Sequence, residues 1–136
     1  MVRPIMHDPL FLSKPSEQAT AADRGVVTDL MDTLKAHAEG CVGMAANMIG
    51  VRKRIIAVNM GLMNVPMINP VILSKKDPYE AEEGCLSLSG VRKTTRYNTI
   101  EVSYMDVDFQ PRRMTFEGWT AQIIQHEIDH CDGILI

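Results

Sequence analysis

The motif HEIDH at residues 126–130 constrains this chain more than any other feature, because it lies in a segment without glycine or proline, Trp119 to Cys131, that is predicted to be a helix. Residues four apart on a helix share one face, with Cβ atoms roughly 5–6 Å apart, so the imidazoles of His126 and His130 could bind one metal ion. Glu127 would then lie beside the metal, where it could take a proton from a water molecule that the ion has acidified. The same pattern also occurs by chance on surface helices, so its meaning depends on the rest of the chain.

A catalytic metal site of this kind needs a third protein ligand and an open fourth position. Only six residues follow His130, so the third ligand is either Cys131 or a residue upstream. Cys131 is rotated about 100° around the helix from His130, which makes it a better core residue than a ligand. The upstream candidates are His7, His37, Cys41 and Cys85.

Cys85 is the favoured ligand among these candidates. It follows Gly84, whose conformational freedom allows an unusual backbone geometry, and as a thiolate it would complete a Cys-His-His set. The chain has three cysteines, an odd number, and its first residues lack the apolar run of a secretory signal, so no disulfide framework is expected. A thiolate with two imidazoles suits Fe(II) or Zn(II) better than Mg(II) or Ca(II).

The composition predicts one globular domain spanning residues 1–136. Hydrophobic residues make up 46% of the chain and charged residues 23%, which argues against disorder. No apolar run approaches the ~20 residues that span a bilayer, so a cytoplasmic location without membrane association is expected. The net charge is -3 and the longest basic run is Arg52–Arg54, so no nucleic-acid motif is indicated.

The periodicity of the apolar residues predicts an α+β fold. Helical spacing from Thr20 to Glu39 predicts one long N-terminal helix. Antiparallel β-strands are predicted at Ile55–Met60, Met67–Leu73, Ile100–Met105 and Arg112–Phe116. We expect these strands to pack around the C-terminal helix that carries the metal-binding HExxH motif. The arm that precedes them, Val2–Ser16, contains three prolines and is expected to be irregular, with little chemistry.

Three segments, taken in their order along the chain, carry a specific resemblance to a known family. They are VGMAANM at residues 42–48, EGCLS at 83–87 and QHEIDH at 125–130. Together with MINP at 67–70, they resemble the motifs of the peptide deformylases, in the same order and over most of the chain. The resemblance implies a metal-dependent hydrolase that removes the formyl group from the N-terminal formyl-methionine of nascent bacterial or organellar polypeptides. It implies Fe(II) as the native metal, with Zn(II), Ni(II) or Co(II) as alternatives. Formyl-methionyl peptides are the implied substrates, and the ribosome is a candidate partner.

The resemblance also implies a role for each site residue. Cys85, His126 and His130 would bind the metal, and Glu127 would be the general acid and base. The backbone N–H of Leu86 would donate to the oxyanion. Gly43 and its neighbours would contact the substrate backbone, and an apolar pocket for the methionine side chain would be formed by Val42, Met44 and Ile123.

One site position departs from the family's pattern. Met48, which by the same resemblance belongs to the substrate-binding residues, stands where the family has a glutamine whose side chain donates to the oxyanion. Losing one such donor costs about 10²–10³ in rate. The neighbouring Asn47 is not an automatic substitute, because adjacent side chains in an extended segment point to opposite faces. Cys41 and Cys131 replace a glycine and a leucine of the family, and both changes are expected to be tolerated.

Three functions therefore compete. The first is a working deformylase that stabilises the oxyanion with the Leu86 amide and the metal. The second is a deformylase-like amide hydrolase with weak activity or a shifted N-acyl specificity, caused by Met48. The third is a non-catalytic metal-binding or ribosome-associated homologue. Glu127 argues against the third, because a structural metal site needs no general base. We rank the functions in this order.

Overall fold

The computed structural model describes residues 1–85 and 87–135 of the chain. Its helices are α1 (Pro9–Leu12), α2 (Arg24–Ala36) and α3 (Gly118–Cys131), and it has 3-10 turns at Ala21–Asp23 and Ala46–Ile49. Its strands are β1 (Gly43–Ala45), β2 (Ile55–Asn59), β3 (Asn64–Cys85), β4 (Leu88–Met105) and β5 (Pro111–Glu117). The predicted α+β class, with an antiparallel sheet and a C-terminal helix, is confirmed.

The five strands form one sheet in the order β1-β2-β3-β4-β5, and each neighbouring pair is antiparallel. Strands that are consecutive in the chain are therefore neighbours in the sheet, as antiparallel hairpins allow. β1 forms one edge of the sheet. α3 packs against β1, β2 and β4, so the helix that carries HEIDH lies over the strand that carries the first motif.

The two central strands are much longer than predicted, because β3 has 22 residues and β4 has 18. The predicted strand Met67–Leu73 covers only part of β3. The following residues include lysine, aspartate, proline and glutamate, which have low strand propensity, and pairing with β4 overrides that preference. The paired strands carry Cys85 to the end of the hairpin, where it pairs with Leu88.

The N-terminal helix α2 is shorter than the predicted Thr20–Glu39. It has 13 residues and follows a 3-10 turn in which the carboxylate of Asp23 accepts the N–H of Thr20. The arm before it, predicted to be irregular, contains the four-residue helix α1. Asp8 caps α1, and Pro9 occupies its first position, where a missing N–H costs nothing.

The hydrophobic core lies between the sheet and the helices α2 and α3. Its fully buried large apolar side chains include Leu30 and Leu34 of α2, Ile56 of β2, Ile68 of β3 and Ile124 of α3. α3 is buried along most of its length, and its buried residues include the polar Gln125, His126, Glu127 and His130. No helix in residues 1–85 and 87–135 is both long and apolar enough to cross a bilayer.

Candidate active site

The end of β3 and the buried face of α3 bring together one thiol and two imidazoles. The ligand atoms of Cys85, His126 and His130 all lie within 4.8 Å of one another. The two imidazole Nε2 atoms are 3.0 Å apart, and the rings meet edge to face with centroids 4.7 Å apart. The helical spacing of HEIDH thus brings His126 and His130 together, and the pairing of β3 with β4 brings Cys85 to the same place.

These three residues fit a metal ion of the Fe(II) or Zn(II) kind. His126 Nδ1 donates to Glu83 Oε1 at 2.8 Å, so Nε2 is the ring nitrogen that faces His130. Burial and the charge on His126 lower the pKa of His130 to about 3, which keeps this imidazole neutral as a ligand must be. Burial lowers the pKa of His126, but hydrogen bonds with Cys85 and Glu83 outweigh it and raise that pKa to about 10. The acidic groups around His126 therefore stabilise a positive charge on its ring.

The other candidate ligands are not part of this three-residue cluster, although Cys41 lines the cavity beside it. Burial raises the pKa of Cys41 to about 11, although its thiol donates to the carbonyl of Gly43, and burial raises the pKa of Cys131 to about 12. Both thiols are therefore neutral, and Cys131 is part of the core. His37 follows the last residue of α2, and His7 contacts the carbonyl of Ser87.

Glu127 lies beside the cluster in a closed environment. Its side chain is 4% exposed, burial raises its pKa to about 7, and its Oε1 has no hydrogen-bond partner among the described residues. Gly43 of β1 packs directly against it: a Cβ at this position would lie 2.8 Å from Glu127 Oε2 and 2.7 Å from Ile123 Cγ2. Glycine is required here because any side chain would displace the carboxylate.

A network of buried polar groups, which was not predicted from the sequence, surrounds His126. The carboxylate of Glu83 accepts hydrogen bonds from His126, from Gln122 Nε2 at 2.9 Å and from Arg96, whose Nη2 is 2.7 Å away. Arg96 also pairs with Asp129 of α3. Burial raises the pKa of Glu83, but its bonds to His126 and Arg96 outweigh it and lower that pKa to about 2. Such a carboxylate fixes the orientation and tautomer of a ligand histidine.

The carboxylates that stand next to the metal ligands in the sequence could have indicated this network. Glu83 stands in the EGCLS segment, and Asp129 stands inside HEIDH. Carboxylates so close to a metal cluster need a cation to remain ionised when buried. The sequence contains many arginines and lysines, however. The strand register places Arg92 opposite Glu83, and only the side-chain contacts of the folded chain show that Arg96 binds this carboxylate.

A cavity opens beside the cluster and is lined by four of the five residues predicted to bind substrate: Val42, Gly43, Met48 and Ile123. Met44 is the exception. Its side chain is fully buried in the core, because it alternates with Gly43 along β1 and so faces the opposite side of the strand. Leu86, the predicted oxyanion donor, lies outside the described residues.

Met48 borders the cavity but is itself almost fully buried, and its Sδ accepts the backbone N–H of Ala45 at 3.4 Å. The segment is a 3-10 turn rather than the extended chain assumed from the sequence. Asn47 is turned the other way, and its Nδ2 donates to the carbonyl of His130 at 2.8 Å. Asn47 therefore does not supply the amide donor that a glutamine at position 48 would supply. The reason is the hydrogen bond of Asn47 to the His130 carbonyl, and not the alternation of side chains along a strand.

The fold and the site, with a buried glutamate next to a thiol and two imidazoles at a cavity, define the class of metal-dependent hydrolases that carry HExxH on a helix. The chain belongs to the polypeptide deformylase family, whose model matches residues 3–136. It is 60% identical to the peptide deformylase of Clostridium beijerinckii over 136 residues, which is 100% of both chains.

Solved structures agree with this assignment. The peptide deformylase of Thermotoga maritima superposes with a TM-score of 0.89 at 29% identity, over 99% of this chain and 95% of that one. The class I type b peptide deformylase of Acinetobacter baumannii with Met-Ala-Ser bound superposes with a TM-score of 0.88 at 27% identity, over 99% and 97% of the two chains.

Proposed function

We propose that this chain is a peptide deformylase that hydrolyses the N-formyl group of formyl-methionyl polypeptides to formate and a free amine. The observation that carries the proposal is that Glu127 lies, buried and with a free carboxylate oxygen, beside the cluster of Cys85, His126 and His130. Membership of the family supports this reaction, as does the 60% identity to a peptide deformylase over the whole chain.

In the proposed site, Cys85, His126 and His130 hold one divalent ion, Fe(II) in the native protein, with Zn(II), Ni(II) or Co(II) able to replace it. The ion supplies Lewis acidity, which makes water a stronger nucleophile at neutral pH and polarises the carbonyl under attack. Glu83 holds His126 in the tautomer that presents Nε2, and Arg96 keeps Glu83 ionised.

Glu127 carries the proton through the reaction. It accepts a proton as water oxygen bonds to the formyl carbon, and it returns that proton to the amine nitrogen as the C–N bond breaks. Gly43 lets the carboxylate stand directly against the reacting group, since no side chain separates them. Formate and the α-amine of methionine are the products.

The substrate is proposed to lie along β1. This strand is an edge of the sheet, so an extended peptide can pair with its free backbone groups. Val42 and Ile123 line the adjacent cavity and offer an apolar wall to the methionine side chain. The backbone N–H of Leu86 is proposed as an oxyanion donor by resemblance alone. We further propose that residues 1–136 act as one catalytic domain, in the cytoplasm and on chains emerging from the ribosome.

A second candidate is a hydrolase with shifted N-acyl specificity, and Met48 is the observation that favours it. This residue puts a thioether where the family has an amide donor. A weaker oxyanion site would slow deformylation, and an apolar wall at this point would tolerate an acyl group with an extra methyl.

The test compares formyl-Met-Ala-Ser with acetyl-Met-Ala-Ser, using anaerobically purified, metal-replete protein and measuring the released amine. A kcat/KM much larger for the formyl peptide supports deformylation. A preference for the acetyl peptide supports the second candidate. Hydrolysis of neither, at full metal content, would overturn both. Glu127→Gln serves as the control for contaminating activity.

A further inference from the structure

The N-terminal arm, Val2–Ser16, contacts two of the three motif segments and the residue that follows the third. The backbone N–H of Met6 donates to the carbonyl of Met48 at 2.7 Å, in the first segment. The next residue, His7, donates from Nδ1 to the carbonyl of Ser87 at 3.0 Å, in the second. Ser16 N–H donates to the carbonyl of Cys131 at 2.7 Å, directly after the third. The arm therefore has more contact with the site than its irregular sequence indicates.

The arm is itself held firmly against the domain. Leu12 has no exposed surface, and the Oδ1 of Asp8 accepts the N–H of Leu10 at 3.0 Å to start α1. Behind α1, the backbone of Ser13 packs so closely on Gly133 that a Cβ there would lie 2.6 Å from the Ser13 carbonyl oxygen. His7 immediately precedes this anchored turn, so its backbone has a defined position, and its exposed imidazole is directed to the Ser87 carbonyl by their hydrogen bond.

The segment that His7 contacts is weakly held by the sheet. The β3–β4 ladder shifts register between Gly84 and Cys85 as it approaches the end of the hairpin. Ser87 is buried, yet its Oγ has no partner among residues 1–85 and 87–135, so its side chain does not anchor the backbone there. Among the described residues, the bond from His7 to the Ser87 carbonyl restrains the backbone two residues after the thiolate.

We propose that His7 is a positioning residue for the active site. Its imidazole N–H holds the carbonyl of Ser87 and thereby limits the movement of the Cys85 thiolate, two residues earlier in the chain. The inference deepens the proposed function and rests on it for the role of Cys85. A small displacement of a reacting group lowers the rate strongly even when binding is unchanged, so His7 acts on catalysis without touching the substrate.

The test uses two substitutions that separate the hydrogen bond from the size of the side chain. His7→Asn keeps an N–H at the position of Nδ1, because both nitrogens are attached to Cγ. His7→Leu keeps a branched side chain and removes the donor. His37→Leu is the matched control, because His37 lies after α2 and away from the cluster.

The variants are compared with the wild type as full-length, Co(II)-loaded proteins of equal metal content. For His7→Leu we expect kcat on formyl-Met-Ala-Ser to fall roughly tenfold with KM little changed. The Co(II)–thiolate charge-transfer band should also shift, because it reports the geometry at Cys85. His7→Asn and His37→Leu should match the wild type in both measurements. If His7→Leu fails to fold, His7→Gln, which moves the donor outward by one bond, is expected to show the same losses.

If His7→Leu, which lacks the donor, shows the wild-type kcat and an unchanged charge-transfer band, the proposal is overturned. Equal losses in His7→Asn and His7→Leu would also overturn it, because the donor would then not be the reason. If the wild type does not hydrolyse formyl-methionine, the proposed function fails. The charge-transfer band still decides whether His7 positions Cys85, so the two failures are distinguishable.

Discussion

Replacing Met48 by glutamine tests the one site position at which this chain departs from its family. Met48 is 1% exposed and borders the cavity. Its Sδ accepts the N–H of Ala45 at 3.4 Å. Glutamine has nearly the same length, so its Oε1 can accept from the same N–H while its amide nitrogen turns toward the cavity. The backbone N–H of Ala45 is therefore already in place to orient the glutamine side chain.

The expected effects on stability and on rate differ in size. Burying the amide costs about 1–3 kcal/mol, and the hydrogen bond from Ala45 returns about 1 kcal/mol. A net loss of about 0–2 kcal/mol lowers the Tm by at most roughly 10 °C in a domain of this size. One well-placed oxyanion donor is worth about 10²–10³ in kcat. Even with imperfect placement, Met48→Gln should raise kcat about tenfold or more on formyl-Met-Ala-Ser.

The gain should appear in kcat with KM little changed, because the donor strengthens as negative charge develops on the oxygen. Met48→Leu, which keeps the apolar volume and adds no donor, is the control and should show no gain. Steady-state kinetics at equal metal content measure kcat and KM for the two variants and the wild type. No gain in a folded, metal-replete glutamine variant would refute the reasoning. A parallel assay on acetyl-Met-Ala-Ser then shows whether formyl-methionine is the wrong substrate or another group already serves as the donor.

Four further results are expected. Glu127→Gln should retain metal and lose nearly all hydrolysis, since an amide cannot carry the proton; turnover above about 1% of wild type would contradict this role. Cys85→Ser should lose metal on dialysis, whereas Cys41→Ser and Cys131→Ser should not. Equal metal loss in all three variants would show that Cys85 is not the specific thiol ligand. Gly43→Ala should lower kcat at least about tenfold, because a Cβ would lie 2.8 Å from Glu127 Oε2; a wild-type rate would mean that the carboxylate can move without cost. Fe(II) enzyme should lose activity in air and keep it after Ni(II) or Co(II) substitution, and an enzyme that is air-stable as isolated would indicate Zn(II).

Much of the local structure could be predicted from the chain. The predicted helix Trp119–Cys131 differs from α3 by one residue, because its run without glycine or proline has strong local preferences. The four-residue spacing of His126 and His130 likewise follows from helix geometry alone. Prediction was poorer for β3, whose polar second half owes its structure to pairing with β4. The strand β1 was not predicted, because three small or flexible residues carry no recognisable period.

The sequence by itself determined the helix, the pair of histidines with their glutamate, and the three motifs that carry the resemblance to the deformylases, because these depend on residues that are near one another in the chain. Tertiary structure decided which thiol joins the histidines, that Arg96 is the cation beside Glu83, that Met44 faces the core, and that His7 reaches Ser87. Glu83 and His126 are 43 residues apart, and His7 and Ser87 are 80 apart. Contacts over such separations depend on strand register and on the docking of α3 and the arm, which the local preferences of the chain do not specify.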